Sequence, residues 1–343
     1  MPATVSVVIV NWNGRELLRA CLESLAQQTL SDVETIVVDN GSTDGSQALV
    51  ETEFPGVTLR TLERNTGFCH ASNTGIRRAQ GRYIALLNND TVVAPNWLET
   101  LVAALEERPA YSFASSCMLR MDDPARIDRV ADSFCSCGFM FGLGSSERAT
   151  DVYREPFEIF GVCGGAAFFR REVFDAVGLL DERYFAYLED LDLNWRMAHA
   201  GLKGIYVPGA VVHHVGGGTS AGQKNPWVLR RTVRNLWLTM SKNVPFWVGW
   251  WMAPRIVLYH LYWMLKFRCV WSYIVGWCTY VAQEPRVYGD RMRILRSSRL
   301  SRQQTRELLT REDQRVFAYL NRCAITARGK PLGRFWRWMF RAG

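Results

Sequence analysis

Tyr83-Ile84-Ala85-Leu86-Leu87-Asn88-Asn89-Asp90 is an apolar run that ends abruptly in two amides and a carboxylate, then continues into Thr91-Val92-Val93 and Pro95. A run that short, closed by polar side chains, predicts a buried strand delivering a site at its carboxyl end. Open α/β sheets bind ligands outside the carboxyl ends of their strands. Asp90 is therefore the expected seat of a metal-bound or phosphate-bearing ligand, against the plainer reading of an Asn/Asp-rich turn.

The chain on either side of this stretch supports the site reading. Val5–Val10 is a strand run ending in Asn11-Trp12-Asn13-Gly14, and a helix is predicted over Arg15–Gln28. Val33–Val38 is a second strand, ending at Asp39-Asn40-Gly41-Ser42-Thr43-Asp44-Gly45-Ser46, with a helix following through Val50. A third strand over Val57–Leu62 leads to Asn65-Thr66-Gly67-Phe68, and a helix over Cys69–Ala79 feeds the opening run. This alternation predicts an α/β fold with a doubly wound, Rossmann-like, mostly parallel sheet. No G-x-G-x-x-G follows the first strand and no G-x-x-x-x-G-K-[ST] occurs, which speaks against a dinucleotide site and a P-loop. The strand ends offer amides and carboxylates instead: Asn11, Asp39, Asn65 and Asp90. Such groups can accept from a base N–H or a ribose hydroxyl, and a carboxylate can hold Mg²⁺ or Mn²⁺ on substrate phosphates.

Ser6–Gly14, Val37–Ser46, Asn65–Asn73 and Leu86–Thr91 resemble the nucleotide-sugar half of the inverting glycosyltransferases of family 2, which have the GT-A fold. The resemblance covers roughly residues 4–220. It implies a nucleotide-sugar donor, dTDP- or UDP-linked, and an Mg²⁺ or Mn²⁺ ion. It implies that Asp39 bonds a pyrimidine base and that Asn11, Asn13, Ser42 and Asn65 line the nucleotide. It also implies that Asn88-Asn89-Asp90 stands where the family has D-x-D. Asn88 adds no charge, so metal affinity rests on Asp90.

Beyond Asp90, Trp97–Glu107 reads as a helix, and 111–160 is the least legible stretch. Asp122-Asp123-Pro124 reads as an exposed acidic turn, and Phe139–Gly144 as a mobile loop near the substrate. Gly161–Arg170 reads as a strand opened by Gly164 and Gly165, where a ligand can approach backbone closely. The resemblance puts this stretch under the donor sugar and acceptor. Glu189, Asp190 and Asp192 open a helix whose apolar positions include Leu191, Trp195 and Ala198. Acids suit a helix N-terminus, but capping accounts for one carboxylate better than for three. Inverting transfer needs a base for the acceptor hydroxyl. In the family the matching E-D pair supplies it, usually at the second residue, which is Asp190 here, with Glu189 as the other candidate. Asp192 is expected to orient the site or bind acceptor, with Trp195 beside it. His213-His214 precedes three glycines, and the resemblance implies a metal-contacting His here. Strand alternation favours His214 over His213. Gly216–Ser220 is expected to close over the diphosphate.

Length and composition, 343 residues with 48% hydrophobic and 22% charged, suit a globular chain of one or two domains. Nine scattered cysteines without a C-x-x-C pair predict free thiols in a reducing cytosol, and Met1-Pro2-Ala3-Thr4 runs into a strand without a signal peptide. Charge is uneven: 286–343 carries 15 Lys/Arg against 4 Asp/Glu, leaving a net −3 for the first 285 residues. After Pro226 the chain turns rich in Trp and Tyr. Phe246–Phe267 is broken by Arg255, His260 and Lys266, and Val270–Val281 is too short to span a bilayer. Aromatic helices with basic neighbours fit a membrane interface, the rival being a buried helical subdomain or a contact between copies in a homo-oligomer. The expected division is a catalytic domain over 1–225, with halves near 1–110 and 111–225, and a membrane-docking region over 226–343.

With no Q-x-x-R-W stretch of the kind processive synthases carry, the resemblance implies a non-processive, inverting glycosyltransferase. The resemblance implies a lipid-linked or cell-surface glycan as acceptor, with dTDP-rhamnose as the first donor to try, at the cytoplasmic face of the membrane. A nucleotidyltransferase would need a basic glycine-rich loop that Asn11–Arg15 does not supply. A nucleic-acid or polyanion binder would explain the basic tail but not Asp90, Glu189 and Asp190.

Overall fold

Residues 3–216, 225–282 and 287–340 are described by the computed structural model. Strands β1 (Val5–Asn11), β2 (Val33–Asp39), β3 (Thr58–Thr61) and β4 (Tyr83–Asn88) alternate with helices α1 (Arg15–Leu25), α2 (Ser46–Glu53) and α3 (Phe68–Arg78). β1 lies between β2 and β4, parallel to both, and β3 is parallel to β2. Strands covered on both faces read as continuous apolar runs, as β1 and β4 do. Their side chains part by parity. Val5, Val7, Ile9, Tyr83, Ala85 and Leu87 pack with α1 on one face, while Val8, Ile84 and Leu86 pack with α3 on the other. Register sets Asn11 opposite Asp39 and Val10 opposite Asn88, so the polar strand ends share one rim.

The remaining strands make the sheet mixed rather than mostly parallel. After β5 (Thr91–Val93) and α4 (Trp97–Glu106) come β6 (Phe113–Arg120), β7 (Ile127–Arg129), β8 (Ala131–Phe134), β9 (Met140–Leu143), β10 (Phe157–Ile159) and β11 (Ala166–Arg170). β11 runs antiparallel between β4 and β6. It starts at the carboxyl end of β4, where Asn88 N donates to Gly165 O at 3.0 Å. That reversal brings the Gly164–Gly165 turn onto the functional rim. Helix α5 (Glu172–Val177), a 3-10 turn (Glu182–Tyr184) and α6 (Glu189–His199) lead to β12 (Gly204–His214), parallel to β6 and antiparallel to β5.

One expectation is corrected here. The apolar segment 139–144 is not a mobile loop: β9 pairs with β8, and the Phe139 ring packs on Tyr259, His260 and Trp263. The helices that follow residue 225 pack against the strands and helices before it. Of the helices α7 (Pro226–Asn243), α8 (Phe246–Lys266), α9 (Val270–Val281), α10 (Tyr288–Arg296), α11 (Arg302–Arg328) and α12 (Arg334–Met339), all but α10 contribute to the same apolar cluster as β4 and α6. The contact is polar as well. Ser133 Oγ donates to Glu312 at 2.6 Å, and Ser136 donates to Asp313 through N and Oγ at 2.8 and 2.5 Å. All four residues are buried, and buried polar groups demand such partners. No helix among the described residues is long and apolar enough to cross a membrane.

Candidate active site

Three strand ends are tied together by side chains. Asp39 Oδ1 accepts from Ser42 N and Gln47 Nε2, both at 2.9 Å, and its Oδ2 accepts from Asn11 Nδ2 at 3.2 Å. Asn11 Oδ1 in turn accepts from Asn89 Nδ2 at 2.7 Å. Gly14 is required beside this chain, because a Cβ there would stand 2.3 Å from Asn89 Nδ2. Asn13, at φ 51°, donates its N–H to Ser42 Oγ at 2.9 Å and accepts from Thr43 N at 2.8 Å. Asn65 Oδ1 accepts from Gly67 N at 2.9 Å and from Asn40 Nδ2 at 3.1 Å. Asn40, missed by sequence reasoning, is buried and couples the second strand end to the third. The donor-side residues read from the sequence therefore share one rim, with Asn11 and Asn89 engaged in holding it rigid.

Asp90 and His214 meet because β12 pairs with β5, with His214 opposite Thr91. Asp90 Oδ1 is buried, lies 3.2 Å from His214 Nε2, and makes no well-formed hydrogen bond among the described residues. Nδ1 of His214 is held by Asp128 Oδ2 at 2.9 Å. Burial opposes charge on His214, but Asp128 and Asp90 outweigh it and push its pKa up to about 9. A carboxylate fixing the far nitrogen of a histidine is the arrangement that orients a metal-ligating imidazole. Once the His214 Nε2 proton leaves, as cation binding requires, the donor set of one buried carboxylate oxygen facing one oriented imidazole fits a divalent cation completed by substrate phosphates. Asp128, in the least legible stretch, had no spacing signal. Asp122 and Asp123 are engaged instead with Arg120 and Arg126. Of the glycine segment, only Gly216 falls within the described residues, so the expected closing segment over 217–220 lies outside them.

The second group of acids sits at the start of α6. Asp190 keeps partial exposure, and its carboxylate accepts from Gly164 N at 3.3 Å and Leu191 N at 2.8 Å. Glu189 is buried, and its Oε2 has no hydrogen-bond partner among the described residues. Burial first, and then the neighbouring Asp190 charge, push the Glu189 pKa up to about 8. Asp190 is also raised by burial, while Arg129 and the Gly164 and Leu191 N–H groups pull the other way. Asp132 joins them from β8: its carboxylate, Cys163 Sγ and a carboxylate oxygen of Asp190 lie within 4.8 Å of one another. Arg129 donates to Asp132 Oδ1 at 2.8 Å. Buried carboxyls this close do not all ionise at neutral pH. Asp190, with two backbone donors and a guanidinium favouring its charge, is the one best suited to be ionised.

The approach to these acids is strained. Phe185, Tyr187 and Leu188 have φ of 65°, 72° and 63°. Left-handed backbone at such residues costs of order 1–3 kcal/mol each and persists where surroundings over-determine it. Two expected contacts are corrected. Asp192 is fully buried, and its carboxylate is used by Arg196 at 2.8 Å, Asn243 at 2.8 Å and Lys242 at 2.9 Å. Trp195 is equally buried, edge-on to Phe134 and Phe160 and stacked on His199. Neither reaches an acceptor; both fix α6. Gly164 and Gly165 do lie at the rim, Gly165 next to Asn88 and Gly164 next to Phe68 and Glu189.

Residues 6–178 match the family model described as Glycosyl transferase family 2. An N-acetylglucosaminyl-diphospho-decaprenol L-rhamnosyltransferase of Mycobacterium tuberculosis (strain ATCC 25618 / H37Rv) is 28% identical over 277 residues, spanning 74% of this chain and 88% of that one. Glycosyltransferase GlyG of Streptococcus pneumoniae serotype 4 is 34% identical over 113 residues, 32% of this chain and 38% of its own. Among solved structures, GalNAc-T7 with UDP, GalNAc and Mn²⁺ superposes with a TM-score of 0.56 at 20% identity, covering 69% of this chain but only 48% of that chain. The mannosyltransferase PcManGT from Pyrobaculum calidifontis, in complex with GDP-Man and Mn²⁺, gives 0.51 at 18% identity, covering 99% of this chain and 84% of that one. These likenesses show a shared fold.

Proposed function

The chain belongs to glycosyl transferase family 2 and is a glycosyltransferase, and from that premise we propose that it moves a sugar, with inversion, from a pyrimidine nucleoside diphosphate to a hydroxyl of a lipid-linked glycan. The observation that carries this reading is the pairing of two acid groups on one rim. Asp90 with His214 lies at the end of β4, and Asp190 with Glu189 lies across the Gly164–Gly165 turn. Asp39, held by Ser42 N and Gln47, accepts from the base. Asp190 takes the acceptor proton as the oxygen closes on the anomeric carbon, and the nucleoside diphosphate departs from the opposite side. Glu189, protonated at neutral pH, adds no second charge beside that base. Asp90 and His214 would hold Mg²⁺ or Mn²⁺, which neutralises charge on the departing diphosphate.

Rhamnose is the first sugar to test, because the mycobacterial relative is named for its transfer to a diphospholipid-linked sugar. The exposed aromatic faces of α8 and α9 support a peripheral place at the cytoplasmic membrane surface. The family match disfavours the nucleotidyltransferase and the polyanion binder. The test is release of nucleoside diphosphate from a panel of dTDP- and UDP-sugars, with a synthetic polyprenyl-diphosphate glycan as acceptor and NMR of the new anomeric centre. One donor is expected to dominate, with inverted configuration. Retention, or no release from any donor, would sink the reading.

A further inference from the structure

The strip leading into Glu189 and Asp190 is held by α3 on one side and by α7 on the other. Four successive carbonyls, from Tyr184 to Tyr187, each have a partner. Phe185 O accepts from Cys69 N at 3.1 Å, at the start of α3. The other three converge on one side chain: Asn235 Nδ2, on α7, donates to Tyr184 O at 3.1 Å, Ala186 O at 2.9 Å and Tyr187 O at 2.6 Å. Asn235 is fully buried, and its Oδ1 is fixed by Arg234 Nη1 at 2.5 Å. Two amide hydrogens thus serve three acceptors within the very turn where Phe185, Tyr187 and Leu188 adopt left-handed backbone. Only a short side chain with an N–H₂ head can do this here. Below it, Thr239 Oγ1 meets Tyr184 Oη at 2.7 Å, and Lys242 and Asn243 hold Asp192 one half-turn past Asp190.

We infer that Asn235 is a positioning residue for transfer: by clamping the carbonyls of Tyr184, Ala186 and Tyr187 it sets the direction in which Glu189 and Asp190 point at the acceptor. This rests on the reading of that pair as the site of proton removal. It makes α7 a working part of the active site, although the helix carries none of the donor-side, Asp90–His214 or Glu189–Asp190 residues and lies outside the family-matched 6–178. Without the clamp, Ala186 O and Tyr187 O lose the side-chain donor that holds them, while Tyr184 O keeps Arg231 Nη1 at 3.5 Å and Ala186 N at 2.8 Å. The donor rim, built from β1, β2 and β4, does not depend on it.

The experiment uses the full chain and the donor found active in the panel, comparing Asn235→Ala and Asn235→Ser with wild type. A displacement of about 1 Å in a reacting group costs about 100-fold in rate. Asn235→Ala should therefore lose about 100-fold in kcat, while its affinity for dTDP or UDP stays within about threefold. The kcat/KM pH profile should shift, because the acids then sit in a different field. Asn235→Ser, which keeps one donor, should recover part of kcat. A folded Ala variant with wild-type kcat and pH profile overturns the proposal. So does a loss of kcat that merely parallels a loss of nucleotide affinity and thermal stability. If the alanine chain does not fold, the serine variant carries the same comparison. Asp190→Asn is run alongside: an active Asp190→Asn would fault the base assignment, whereas an inactive one beside an unaffected Asn235 variant faults only the clamp.

Discussion

Asp190 and Glu189 are neighbours in one helical turn with opposite surroundings, and that difference yields separate predictions. Asp190→Asn keeps the shape and the two backbone donors but removes the proton acceptor. Transfer should fall by about 10²–10⁴, the usual range for loss of a general base, with dTDP or UDP affinity unchanged in a calorimetric titration. Near-normal transfer would hand the role to Glu189. For Glu189 the sign of the pH effect is fixed by burial: its folded pKa, about 8, lies above the 4.5 of the free side chain. The folded state therefore binds more protons between those values, and stability falls as pH rises through that window. Glu189→Gln should flatten that fall in urea midpoints measured from pH 5 to 8; an unchanged slope would show that burial of Glu189 is not its cause. At the proposed metal pair, Asp90→Ala should abolish the response of activity to added Mg²⁺ or Mn²⁺, and His214→Ala should weaken it. Wild-type transfer that survives EDTA unaltered would refute both assignments. His214 was singled out by strand alternation and resemblance, and it is the histidine that faces Asp90. Asp128 and Asp132 could not be found the same way. Each is a single acid in a short strand, with no partner at a telling spacing, and only the fold brings them to His214 and Asp190.

Elements were legible where burial is two-sided. β1, β2 and β4 announce themselves as apolar runs, and their polar ends mark the rim because nothing apolar would stop there. The antiparallel β11 was legible as a strand but not in its direction, which is set by pairing on both sides with β4 and β6. The contacts of the C-terminal helices were illegible for a different reason. Lys242, Asn243, Glu312 and Asp313 look like ordinary surface residues of amphipathic helices, yet all four are buried against the catalytic half. Lys242 Nζ lies 2.9 Å from Asp192 and 2.8 Å from Asp181. Removing one partner of a buried pair costs about 3–5 kcal/mol, since the other charge stays desolvated. Arg196 still attends Asp192, so Lys242→Met should cost about 3 kcal/mol by chemical denaturation. By the same logic a chain cut after residue 225 should not fold cooperatively, because Asp192, Ser133 and Ser136 would all lose partners at once. A soluble truncated chain with a sharp thermal transition and wild-type nucleotide affinity would show that 1–225 is independent after all.

The whole molecule carries its apolar excess on one region of the chain. Phe246, Trp250 and Leu265 on α8 and Trp271 on α9 are each more than 60% exposed, and Leu261, Ile274 and Trp277 are more than 40% exposed. Isolated exposed apolar residues need no explanation, but helical stripes of tryptophan and leucine on adjoining helices do. The same third of the chain holds the basic excess of 286–343. Interfacial helices combine these two features, burying an apolar face at headgroup depth and placing Lys/Arg near anionic lipid. Magnitudes decide which dominates. A large apolar side chain taken fully from water contributes about 1.5–3 kcal/mol, whatever the salt. A Lys or Arg near an anionic surface adds about 1 kcal/mol, and salt screens it. Full-length protein should therefore sediment with phosphatidylglycerol-rich liposomes, and high salt should release only part of it. Trp250→Ser, Leu265→Ser and Trp271→Ser combined should move most of it to the supernatant, with the thermal midpoint and nucleotide affinity of wild type, since these exposed side chains are not part of the shared core. Docking would also set the Asp190 rim against acceptors presented on lipid, so the triple variant should lose transfer to a liposome-borne acceptor while keeping transfer to a soluble short-chain one. Full-length protein that remains in the supernatant at low salt, and forms a concentration-dependent dimer that the triple variant cannot form, would reassign the aromatic face to contact between two copies of the chain.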